Sequence, residues 1–200
     1  MRSSLDFFRL EKALLQGNSP LLKILSAGLT EFEIELRFKE TGLAFPEDLL
    51  QLYMWKNGID KSKVELYPQI DPSLFILGRF YSLDENLEYY RYYVFNNYWS
   101  KNLFPIFSAG NSEFFLINCD EQSTKEFGKL YYYSTTDYLA LEPITVFDSL
   151  KNLIRDVTEC YRKGIFVYDS ENNNLIVTNS EEEIKIHLAN NPESAYWTKL

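Results

Sequence analysis

One histidine and two cysteines in 200 residues leave little from which to build a metal centre or a nucleophile–base pair. A zinc site draws its ligands from Cys, His and carboxylates. Cys119 and Cys160 stand far apart with no CxxC spacing, so both are expected as reduced core residues and not as disulfide partners. The eight glycines are scattered singly and make no phosphate-cradling loop. No apolar run approaches the ~20 residues of a membrane span, and no basic stretch leads into an apolar one as in a signal peptide. Positive charge is also scarce: 20 Lys and Arg face 29 Asp and Glu, a net −9 with a pI near 4.8. Phosphate binding needs a basic footprint, so nucleic acid is excluded as the expected partner. The expectations are a cytoplasmic location, no metal, no organic cofactor and no membrane.

What is present is ordinary globular material, 46% hydrophobic and 24% charged, enough for one domain with a real core. The acidity has two readings of equal weight. It suits long-range attraction to a basic protein, and it suits plain solubility. Tyr and Phe number fifteen each. That total fits the codon bias of an AT-rich genome, so function is sought in local clusters.

Along the chain, Ser4 is placed to cap a first helix whose Phe7, Leu10 and Leu14 share a face, closed near Gly17. A second helix is predicted over Pro20–Ala27, ending at Gly28. Thr30–Thr41 carries two signals. Phe32, Ile34, Leu36 and Phe38 alternate as in a strand, while Thr30 and Glu33 form a capping box and Gly42 a stop. Helix is the preferred reading. Pro46 opens the next helix with Glu47 and Asp48 in its first turn and Leu49, Leu52 and Tyr53 as its stripe. Asn57-Gly58 is expected to end it, with Gly58 left-handed and Trp55 packed against the loop beyond.

Further on, a short strand is predicted at Val64–Tyr67 and another at Leu74–Gly78, then a helix capped by Ser82 with Leu83, Leu87 and Tyr90 inward. Strands follow at Leu103–Ser108, Glu113–Asn118, Lys129–Ser134 and Ile144–Phe147, the first two joined by a turn at Gly110-Asn111. Asp148 is the expected cap of a helix with the stripe Leu150, Leu153, Ile154, Val157 and Tyr161, closed by Gly164. A hairpin of Ile165–Tyr168 and Leu175–Thr178 precedes a last helix, begun by the Ser180/Glu183 capping box and running to Ala189. His187 near its end is expected on the surface, where the helix dipole favours it. The whole predicts one α+β domain, a mostly antiparallel sheet packed by several helices.

The stretch GLAFPEDLLQLYMWKNG, Gly42–Gly58, with Gly42, Pro46, Glu47, Trp55, Asn57 and Gly58 at its marked positions, resembles the signature of the SUKH superfamily. Phe104-Pro105-Ile106, Gly110, the run Phe114–Ile117 and Phe147-Asp148-Ser149-Leu150 follow in the superfamily's order. Its members are best known as bacterial immunity proteins that neutralise toxins from neighbouring cells, with relatives in fungal cell-wall regulation. The resemblance implies residues 1–29 as a helical extension packed on a SUKH-like domain over 30–200, within one structural unit. It also implies a non-enzymatic binding protein whose partner is a basic toxin domain; it sets no oligomeric state.

Chemistry offers little competition. Asp120-Glu121, at a strand end, could serve a carboxylate-dependent hydrolase if a second carboxylate faced them across a closed pocket. A regulatory scaffold is the other alternative, and it too would work by binding. The candidate docking surface is Asp84, Glu85 and Glu88 beside Tyr89 and Tyr92 on the Ser82-capped helix, with Asp120 and Glu121 as second choice. Against it stands a merely solvated helix start, with Asp84 and Glu85 favouring the dipole. Of the aromatic clusters, Tyr131-Tyr132-Tyr133 is expected in the core, whereas Tyr89–Tyr93 divides between packing and interface anchors.

Overall fold

The structure is a computed structural model that describes residues 6–110 and 112–200. The expected cap Ser4 and the turn residue Asn111 lie outside the described residues. Helix α1 (Phe7–Gln16) is capped by Asp6, whose Oδ1 accepts from Arg9 N at 3.1 Å. It buries Leu10, Ala13 and Leu14. Helix α2 covers only Leu21–Ile24, and Leu25–Ala27 turns into strand β1. The longer helix expected there gives way because β1 pairs antiparallel with β2 (Lys56–Ile59). The ladder supplies backbone partners that a four-residue helix without a side-chain cap cannot.

Helix α3 (Glu31–Phe38) follows the expected capping box, with Ile34 and Phe38 buried and Phe32 and Leu36 exposed. A 3₁₀ turn, Lys39–Thr41, carries it to Gly42 at φ +68. Helix α4 (Glu47–Trp55) has Pro46 as its N-cap and Leu49, Leu52 and Tyr53 fully buried. Its end differs from the expectation. Lys56 is already extended, and Asn57-Gly58 belongs to β2. Gly58 has φ +70, and a Cβ on it would sit 2.3 Å from Ser82 N, so glycine here permits close backbone approach as well as the left-handed turn. Trp55 also turns elsewhere: it stacks on Phe7 at 4.5 Å and donates from Nε1 to Glu11 at 2.8 Å, which ties α4 to α1 and not to the following loop.

The predicted strand at Val64–Tyr67 is instead the end of helix α5 (Lys61–Leu66), with Tyr67 as its C-cap. Asp60 caps it by accepting from Ser62 N and Oγ, and four alternating residues are too few to outweigh a nucleated turn. Leu74–Gly78 is two strands, β3 (Ser73–Phe75) and β4 (Gly78–Phe80), reversed at Leu77 with φ 63.

Strands β3 to β8 form one six-stranded antiparallel sheet in sequence order, with β5 (Leu103–Ser108), β6 (Glu113–Asn118), β7 (Leu130–Ser134) and β8 (Ile144–Phe147) close to the expected ranges. Helix α6 (Leu83–Phe95) lies between β4 and β5 in the chain. Helix α7 (Leu150–Arg162) buries the whole predicted stripe. Its cap is Ser149, one residue beyond the expected Asp148, whose N–H donates to Asn191 instead. The hairpin β9 (Phe166–Asp169) and β10 (Asn174–Val177) leads to α8 (Ser180–Asn190). Asn179 caps α8 by accepting from Glu182 N, displacing the box expected at Ser180. The fold is therefore α+β, a sequential antiparallel sheet packed by several helices.

Two cores result, because successive strand residues point to opposite faces. Phe115, Ile117, Leu130 and Tyr132 join the main core with α1, α4 and α7. Phe114, Leu116 and Tyr133 join a second cluster with Tyr93 and Trp99 on the other face. A bulge at Pro105–Phe107 lets Ile106 and Phe107 both enter the main core. Cys119 and Cys160 are buried free thiols, as expected, and burial pushes both well up from the usual thiol range.

Candidate interaction site

The start of α6 is built by the Gly42–Gly58 motif as much as by its own residues. Ser82 and Glu85 form a capping box: Ser82 Oγ accepts from Glu85 N at 3.3 Å, and Glu85 Oε2 accepts from Ser82 N at 3.0 Å. Asn57 Oδ1 accepts from Leu83 N at 2.9 Å, satisfying a further orphan donor of the helix N-terminus. Gly58 makes room for that approach. Beneath them Asn86, fully buried, donates to Tyr53 Oη at 2.8 Å and to the Ile106 carbonyl at 2.9 Å, which locks α6 to α4 and β5.

With Leu83, Leu87, Tyr90 and Tyr93 turned inward, α6 leaves Asp84, Glu88 and Tyr92 outward. Glu85, Glu88, Tyr89, Tyr92 and Tyr93, together with Lys61, line a surface depression of about 410 Å³. Its floor is aromatic. Tyr93 stacks on Trp99 at 4.6 Å, and Tyr89 meets Phe114 edge-on at 5.5 Å. Tyr92 leans on Tyr93 at 5.1 Å yet remains 59% exposed. Burial, with Tyr81 beside it, pushes the Tyr89 hydroxyl up to about 12, so it stays neutral.

The acidic half of the expected site is divided. Glu85 is bound to Lys61 at 2.9 Å as well as to Ser82. Burial works against its charge, but the Lys61 and Ser82 hydrogen bonds prevail and hold its carboxyl below the usual value. Asp84 pairs with Arg37 at 3.1 Å. Glu88 makes no salt bridge among the described residues and is exposed. Asp120 and Glu121 do not line the depression. Asp120 is held in a turn, its Oδ1 accepting from Gln122 N at 3.1 Å and its carbonyl from Ser123 N. Within the Tyr131–Tyr133 run, Tyr132 and Tyr133 are buried and Tyr131 donates to Glu126 at 2.6 Å.

One polar cluster was not anticipated. His187, expected on the surface, is 3% exposed, because the C-terminal segment folds over α8 and stacks Trp197 on the imidazole at 4.3 Å. Its Nδ1 lies 3.3 Å from Oδ2 of the fully buried Asp156, and its Nε2 3.7 Å from Glu183. Asn190 and Asn191 donate to the same Asp156 carboxylate. Burial opposes a charged imidazole, but the two carboxylates outweigh it and hold the His187 pKa above its ordinary value. The sequence carried no signal of this, because Arg155 and Asp156 fall together in the polar gap of the stripe Leu150, Leu153, Ile154, Val157 and Tyr161.

Among the described residues, no group of three or more His, Cys, Asp or Glu is arranged to hold a metal ion, and no helix is long and apolar enough to cross a membrane. Residues 28–156 match the model of the SMI1 / KNR4 family (SUKH-1). No curated protein matches the chain.

Proposed function

Because the chain belongs to the SMI1 / KNR4 family (SUKH-1), a family of protein-interaction domains, we propose that it is an immunity protein that neutralises a basic bacterial toxin domain by stoichiometric binding. The docking face is the outer side of α6. The observation that carries this reading is the depression in which an exposed carboxylate, Glu88, stands one turn from an exposed ring, Tyr92, over a rigid aromatic floor. Aromatic rings on a fixed base lose little entropy when they become interface anchors. The net charge of −9 would speed encounter with a basic partner. Asp84 and Glu85 serve the fold through Arg37, Lys61 and Ser82, so Glu88, Tyr89 and Tyr92 are the residues expected to meet the partner. Inhibition would be occlusion of the toxin's active site and needs no chemistry from this chain.

The test is to seek a toxin gene beside this one and to measure complex formation with that toxin's C-terminal domain, followed by association kinetics. Glu88→Lys should slow association about tenfold at low salt, and Tyr92→Ala should mainly speed dissociation. No complex with the neighbouring toxin overturns the immunity reading. A complex indifferent to both substitutions moves the docking site away from α6.

A further inference from the structure

The depression on the outer side of α6 already holds one cation, and the chain itself supplies it. Lys61, the first residue of α5, reaches across to α6, where its Nζ lies 2.9 Å from Glu85 Oε1. Glu85, through this bond and its charge, holds the ammonium above its ordinary pKa, and Glu88 acts in the same direction. Both carboxylates of the depression therefore bear on a single positive charge. Two carboxylates against one ammonium leave the lining with an excess of negative charge. Glu85 has a second partner in Ser82, whereas Glu88 makes no salt bridge among the described residues.

The rest of the lining is aromatic: Tyr89, Tyr92 and Tyr93. Tyr92 meets Tyr93 at 79° and Tyr89 meets it at 52°, so the rings stand at angles instead of closing into a stack. Tyr92 keeps 59% of its surface open. The face of an aromatic ring attracts a cation. A guanidinium suits such a site better than an ammonium, because it is flat, weakly hydrated and stacks on rings. An ammonium is strongly hydrated and rides on a flexible stem. Lys61 behaves in that way: it meets the carboxylate and leaves 78% of its side chain in water.

We propose that this depression is a slot for one arginine side chain of the partner, whose guanidinium lies against the tyrosines and pairs with Glu88 and Glu85 in place of Lys61. The inference rests on α6 as the docking face and adds the chemistry of the anchor, with Lys61 as an internal competitor for it.

N-acetyl-arginine methylamide supplies that side chain; the citrulline analogue is its uncharged near-isostere, and the lysine analogue carries the ammonium. In titrations of the intact protein followed by backbone amide NMR, the arginine probe should shift the amides of residues 85–93 saturably. It should do so at lower concentration than the lysine probe, with the citrulline probe silent. Tyr92→Leu should weaken the arginine probe about two- to fivefold, and Glu88→Gln by about the same factor. Lys61→Met keeps the stem, removes the rival charge, and should tighten binding about two- to fivefold. Circular dichroism checks that each variant is folded. Equal binding of the citrulline probe, shifts as large at Asp120 and Glu121 as on α6, or a Lys61→Met variant that binds no more tightly would overturn the slot. None of these readouts involves a toxin, so a failed slot and a failed immunity reading are told apart by whether the toxin complex still forms.

Discussion

A single imidazole links three parts of this molecule: α7 through Asp156, α8 through its own helix, and the C-terminal segment through Trp197. A raised folded-state pKa means that protonated His187 stabilises the fold. That contribution is complete below the unfolded value of 6.5 and is lost as pH rises through the folded value. Urea midpoints should therefore fall as pH increases above 6.5, and His187→Gln should flatten that part of the profile. A profile unchanged by the substitution would assign the pH dependence elsewhere. The Leu52 site poses a simpler question. Its side chain is fully buried under the α4 stripe, so Leu52→Ala should cost about 2–5 kcal/mol by chemical denaturation.

At the scale of elements, the family motif is a joint between two helices. Its first half makes α4, with Gly42 releasing the chain from α3 and Pro46 starting the new helix. Its last two residues, Asn57 and Gly58, serve α6 instead of ending α4. Asn57→Ala should cost about 1 kcal/mol and raise hydrogen exchange at the first turn of α6, with the Leu83 amide most affected. A change confined to the end of α4 would contradict that assignment. Trp55 makes the corresponding joint to the N-terminal segment, where Leu10, Leu14, Leu21 and Ile24 are wholly buried. We propose that residues 1–29 pack on the family-like domain as part of one structural unit. A chain begun at Thr30 should then expose apolar surface, read as dye binding and loss of a cooperative thermal transition.

For the whole molecule, the decisive arrangement is a sheet with a core on each face. The main core takes most helices, Leu83, Leu87 and Tyr90 of α6 among their residues, while the smaller cluster around Trp99 takes Tyr93 and lies beneath the outer rings of the same helix. Steering by a net −9 acts over the screening length, which shrinks to about 8 Å at physiological ionic strength. Association with a basic partner should therefore slow markedly as salt rises, with dissociation much less affected. Equal salt dependence of both rates would argue against electrostatic steering.

Local chemistry in the sequence determined the elements whose signals lie within one or two turns. The Thr30/Glu33 box, the Ser82 cap, the stripes of α4 and α7, and the strands from Leu103 to Phe147 were legible because caps and periodicity act between near neighbours. The motif of Gly42–Gly58 likewise identified the family. Tertiary structure alone decided what depends on distant partners. Leu25–Ala27 became a strand because Ile59 was there to pair with it, Asn57 found its donor 26 residues away, and His187 met Asp156 across 31. Contacts of that span leave no period in the chain, so burial of the histidine emerged only once α7, α8 and the C-terminal segment were packed together.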